Sequence, residues 1–182
     1  MSWVGVVTNA GRDLFNTFIA SGIAININAV KTGSGTVSTA SMKESTELVS
    51  QVTTGSIVER RIFNDGVQIK MDIRPYTSSY TLKEVGLFAT VTNGGQTSQV
   101  LVALLQNSDG VLIPTTAEFP DYHLILAIMI EVDNDDNLSI TVDSSTALLS
   151  FQGTENAGKF MVVANNGFVV PVEVPFAEGA VF

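Results

Sequence analysis

The sequence predicts an α+β fold, with N-terminal helices packed on a mostly antiparallel β-sheet and a short C-terminal β-arm. Three observations lead there. Helix-period apolar residues and cap signals are confined to the part of the chain before residue 50. From Ser56 onward apolar and polar residues alternate at period two, interrupted by Asn-Gly and Asp-Gly turns. After Asp143 the periodicity lapses, and only one further alternating pair follows. Helices early and strands later argue for segregated layers. The boundary divides the chain into a main domain over residues 1–145 and a linker with a β-hairpin arm over residues 146–182.

The first helix is predicted over residues 9–21. Thr8 and Asn9 supply an N-cap, Leu14, Phe15, Phe18 and Ile19 recur on one face, and Gly22 ends it. Residues 23–30 alternate as a one-faced strand that breaks at Gly33-Ser34-Gly35. Residues 39–50 carry a second helix in this reading, with Met42, Leu48 and Val49 on its buried side. Two strands flank Asn64-Asp65-Gly66, whose residues tolerate the positive φ of a tight turn. Further strands follow at 80–91, 98–106, 122–132 and 138–143, with turns at Asn93-Gly94-Gly95 and Ser108-Asp109-Gly110.

Composition narrows the function classes. The chain has 182 residues, a size at which one domain buries roughly 70% of its unfolded surface. Hydrophobic residues make up 45% and charged residues 15%, so much of the surface is neutral, which suits equally a surface that meets partners and a lightly charged monomer kept soluble by its net charge of −9. Nine Lys and Arg against a net charge of −9 argue against nucleic acid, whose binding draws on clustered basic residues. Without cysteine there is no disulfide framework and no thiolate nucleophile. Neither a signal-peptide pattern nor an apolar run of the ~20 residues a bilayer requires is present, so no membrane insertion is expected.

No enzyme chemistry is expected either. The one histidine, His123, opens an apolar strand with no Gly-x-Ser-x-Gly elbow, and a half-exposed strand residue explains it. Gly33-Ser34-Gly35 lacks the third glycine of a dinucleotide loop and the lysine of a phosphate loop. Asp133, Asp135 and Asp136 begin like a calcium loop, but Leu138 and Ser144 stand where its glycine and bidentate glutamate belong. The pairs Glu44 with Glu47 and Glu173 with Glu178 have no aromatic sugar platform beside them. No catalytic residue, cofactor or metal is therefore expected. Glu84 is the odd charge, set in an otherwise apolar strand: it either faces solvent in the alternation or accepts hydrogen bonds that fix a turn.

The arm reads as two strands, 159–164 and 167–174, around Asn165-Asn166-Gly167. A lone hairpin is marginal in water, and Pro171 confines its strand to an edge. Val162, Val163, Phe168, Val169, Val170 and Phe176 are the residues expected to contact another copy or a partner by strand addition.

Three segments resemble the N-terminal domain of phage tail-collar fibre proteins. They are Val7-Thr8-Asn9-Ala10-Gly11 opening a helix, Lys31 to Gly35 ending a strand in Gly-Ser-Gly, and Glu84-Val85-Gly86-Leu87-Phe88-Ala89. Ile113-Pro114, the strand at Tyr122 and Ser139 to Asp143 are similar to the end of that domain. The resemblance spans about residues 4–145. It implies a non-enzymatic virion protein of a phage tail or contractile particle, docked on baseplate or tail-tip proteins and other fibre subunits. It also implies a homotrimer, assembled in the host bacterial cytoplasm. Only the short arm stands where such fibres carry a shaft, which favours a short fibre or adaptor. The alternative is a host-surface carbohydrate-binding module that uses Trp3, Tyr76, Tyr80 and Tyr122 as stacking residues.

Overall fold

A computed structural model describes residues 3–21, 25–63, 66–93, 95–132, 138–143, 160–163 and 169–172. The elements are β1 (Val4–Val7), α1 (Asn9–Ser21), β2 (Ile27–Gly33), a 3-10 turn (Met42–Glu44), β3 (Gln51–Ile62), β4 (Gly66–Ile73) and β5 (Tyr80–Asn93). They continue with β6 (Gln96–Ile113), β7 (Leu124–Val132), β8 (Leu138–Asp143), β9 (Phe160–Val163) and β10 (Val169–Val172). The first eight strands form one sheet in the order β1-β6-β5-β2-β3-β4-β7-β8, while β9 and β10 form a sheet of their own. Every named pairing is antiparallel.

The α+β expectation is overturned: the protein is mostly antiparallel sheet with one short α-helix among the described residues. The helix itself lies where the sequence put it. Thr8 caps it, its Oγ1 accepting from Gly11 N at 3.0 Å. Half-buried Leu14 and Phe15 face the core.

The second helix does not form. Residues 39–50 hold only the 3-10 turn, and Val49, assigned to the buried side, is 56% exposed. Serine side chains take over the local hydrogen bonding: Ser41 N donates to Ser38 Oγ at 3.3 Å, and Ser45 Oγ donates to Ser41 O at 3.3 Å. Such side-chain bonds offer the backbone an alternative to the helical ladder.

The hairpins at Asn64-Asp65-Gly66 and Asn93-Gly94-Gly95 form as read, with Ile62 opposite Val67 and Asn93 opposite Gln96. Gly95 carries the positive φ of +82°. Ser108-Asp109-Gly110 does not reverse the chain. β6 runs straight through it, and Asn107 to Gly110 bulge out opposite Lys83, between the pairs Glu84↔Gln106 and Leu82↔Val111. Gly110 has φ +74° and Asp109 N donates to Asn107 Oδ1 at 3.1 Å, so turn-forming residues were spent on a bulge.

The sheet curls until its edge strands β1 and β8 approach one another. β3 makes the bend: Gln51 to Gly55 pair with β2, whereas Ser56 to Ile62 pair with β4. Inside lies the main core, with Val85, Leu87 and Ala89 of β5 facing Met71, Ile73, Leu126 and Ile128. The outward residues of β5 and β6 are buried too. Phe88, Leu101 and Leu104 lie under the segment between β2 and β3, which inserts Met42 among them. Burial on both faces explains why these strands read as nearly continuous apolar runs.

Candidate functional site

Two of the quoted segments, Lys31 to Gly35 and Glu84 to Ala89, meet in space as a structural joint. Gly33 pairs with Glu84 across β2 and β5. Glu84, 0% exposed, points outward from the barrel-like core into the segment between β2 and β3. Its Oε1 accepts from Gly35 N at 3.0 Å and Ser50 N at 2.7 Å, and its Oε2 accepts from Val49 N at 3.0 Å. One carboxylate thus gathers both ends of that segment, which acts as a strap over Phe88, Leu101 and Leu104. The strap is held midway by Gln106, whose amide, oriented to satisfy both contacts, accepts from Val37 N at 3.0 Å and donates to Val37 O at 2.9 Å.

Glycine is required at this joint. A Cβ on Gly33 would lie 2.4 Å from Ser50 O and 2.5 Å from Glu84 Oε1. The solvent-facing reading of Glu84 fails because the strap covers that face; the turn-fixing reading holds. The Thr8 segment is a second joint, where Thr8 N donates to Val102 O at 3.0 Å and seats α1 on β6.

His123 is not isolated. Its Nδ1 lies 3.0 Å from Oδ2 of Asp72, a buried carboxylate that also accepts from Arg74 Nε at 2.8 Å. A histidine held by a carboxylate is two-thirds of a hydrolytic constellation, but no serine or threonine hydroxyl is recorded on His123 among the described residues. With the Arg74 guanidinium and the His123 ring both on it, the buried Asp72 carboxylate satisfies the rule that buried acids are compensated. Sequence reasoning missed Asp72 and Arg74; their strand position at the end of β4 gave no separate signal.

The other chemical candidates disperse. Glu44 and Glu47 are exposed on the strap. Asp133, Asp135, Asp136, Glu173 and Glu178 lie outside the described residues, and among the described residues no group of three metal-ligating side chains assembles. Trp3 and Tyr122 are buried and Tyr80 is half-buried, bonded through its hydroxyl to Thr32 Oγ1 at 2.9 Å, which leaves Tyr76 as the exposed member of the proposed stacking set.

Burial, with a smaller contribution from the Tyr80 charge, pushes the Tyr122 hydroxyl from 10 up to about 12. The unfolded chain therefore releases this proton first, and stability present below pH 10 is lost as pH rises toward 12. Tyr122→Phe is expected to flatten that alkaline limb by roughly 2 kcal/mol, measured by urea unfolding at a series of pH values.

Of the expected contact residues, Val162 stands opposite Val170 and Val163 opposite Val169 in the β9–β10 ladder. Phe168 and Phe176 lie outside the described residues, as does the boundary between residues 145 and 146. The arm's ladder is separate from the eight-stranded sheet. No family model, curated protein or solved structure matches the chain.

Proposed function

We propose that this chain is a non-enzymatic structural component of a phage tail or contractile injection particle, a short tail fibre or fibre adaptor attached to the baseplate. The observation that carries the reading is the β9–β10 hairpin, two four-residue strands that hydrogen-bond in a sheet of their own. A two-stranded ribbon this short is not stable alone in water and gains stability by lying on another surface. Apolar Phe-Met-Val-Val and Val-Val-Pro-Val strands make that surface a protein. The body suits a rigid attachment module: Gly11, Gly33, Gly35 and Glu84 serve backbone joints rather than a reaction centre.

The partners in this reading are baseplate or tail-tip proteins and other fibre subunits, with the chain itself a homotrimer. Its place is the assembled particle, built in the bacterial cytoplasm. Receptor-binding through a sugar platform is less favoured, because Trp3 and Tyr122 are withdrawn into the core.

Light scattering of the intact chain against a version lacking residues 146–182 tests the reading. The intact chain is expected to be oligomeric, and the shortened one a folded monomer with its unfolding midpoint within a few degrees. An intact chain that stays monomeric at high concentration overturns the proposal.

A further inference from the structure

β3 changes partners halfway along its length. Its ladder with β2 ends at Val30↔Gly55, and its ladder with β4 begins at Ser56↔Asp72 on the opposite edge. From Ser56 to Ile62 the edge that faced β2 has no ladder partner among the described residues. Arg60 Nη2 donates across the split to Ile27 O at 2.7 Å, fixing the divergence of the two strands.

Open edges in soluble proteins are normally short or guarded by charge. This one carries Glu59, Arg60 and Arg61 together with exposed apolar side chains: Val58 is 54% exposed at the bulge between Ile57 and Glu59, and Ile62 is 86% exposed. Phe63 continues the patch at 45% exposed. The hairpin's basic residues are already engaged within the chain: Arg61 and Lys70 pair with Glu59, and Arg60 donates to Ile27 O.

We infer that the β3 edge over Ser56 to Ile62 receives the β9–β10 hairpin of a second copy of this chain by strand addition. The inference deepens the assembly reading above and rests on it. β9 is the joining strand, because Pro171 deprives β10 of one backbone donor. Among the described residues both partners offer unmet backbone groups, and apolar β9 meets the exposed side chains of Val58 and Ile62. The contact joins two different surfaces, so it is heterologous, and it repeats from copy to copy until a ring closes.

Because the chain contains no cysteine, introduced thiols are its only ones. Ile62→Cys is prepared alone, and Met161→Cys and Val162→Cys are prepared as separate partners to sample both strand faces. Each partner is mixed with Ile62→Cys and oxidised. At least one mixture is expected to give the mixed disulfide dimer several-fold above the same partner mixed with Leu112→Cys, an exposed position on β6. Ile62→Asp is expected to weaken self-association roughly tenfold or more without moving the unfolding midpoint, since the side chain is largely exposed in one chain.

Oligomers that form with no excess crosslinking over the Leu112 control, or that ignore Ile62→Asp, overturn this docking and leave the proposed function standing. A monomeric intact chain overturns both.

Discussion

Glu84→Ala is expected to lower the unfolding free energy by about 3 kcal/mol, with the midpoint falling by roughly 10 °C. Each of the three hydrogen bonds to the carboxylate is charge-assisted, a kind that contributes about 1.5–3 kcal/mol. The full sum does not apply, because Val49 and Ser50 lie near the surface and water reaches their amides once the strap loosens. The diagnostic result is regional. Protease should cut between residues 36 and 48 far faster than in the unaltered protein, because the strap depends on this anchor while the inner core does not touch it. Glu84→Gln retains one carbonyl acceptor and should fall between the two. Unchanged stability and unchanged cleavage of Glu84→Ala would remove the carboxylate from its role as the strap's anchor.

Gly11→Val should cost about 3 kcal/mol, for a different reason. A Cβ there would stand 2.3 Å from Val102 O and 2.8 Å from Val102 Cα, which are backbone atoms of a central strand and cannot turn aside as a side chain can. The helix must lift from β6, breaking the Thr8 N to Val102 O bond and uncovering the core beside Leu14 and Phe15. Circular dichroism during urea unfolding would record the loss as a lower midpoint. Asn16→Val, an exposed position on the same helix, should change stability by less than about 1 kcal/mol and separates the clash from helix propensity. Equal effects from the two substitutions would mean that α1 tolerates displacement from the sheet.

The two sites share a logic that bears on the proposed function. Thr8 with Gly11, and Gly33 to Gly35 with Glu84, lock the first helix and the strap to the central strands β5 and β6. Their polar and small residues are consumed in making a stiff body, and the open features left over are the β3 edge and the separate hairpin. In the proposed reading, the braced body presents the open β3 edge and the hairpin to neighbouring chains.

Much was legible from local pattern. The helix over residues 9–21 follows from its cap, its apolar face and its glycine stop, and the hairpins follow from Asn, Asp and Gly between alternating strands. These signals act within a few residues, so the chain carries them before it folds. The strap, the bulge and the Glu84 anchor were not legible in that way. Residues 39–50 have a passable helical pattern, yet Glu84 takes the amides of Val49 and Ser50 from 35 and 34 positions away, and no window of the sequence contains that competition. Ser108-Asp109-Gly110 specifies a positive φ but not whether the chain reverses there; the partner strand β5, which continues past it from Glu84 to Leu82, makes it a bulge. Sequence by itself thus determined where backbone turns, caps and alternations fall, because those obey neighbouring side chains. Tertiary structure alone decided which faces were covered and which edge stayed open, because burial and strand pairing are set by residues far apart along the chain.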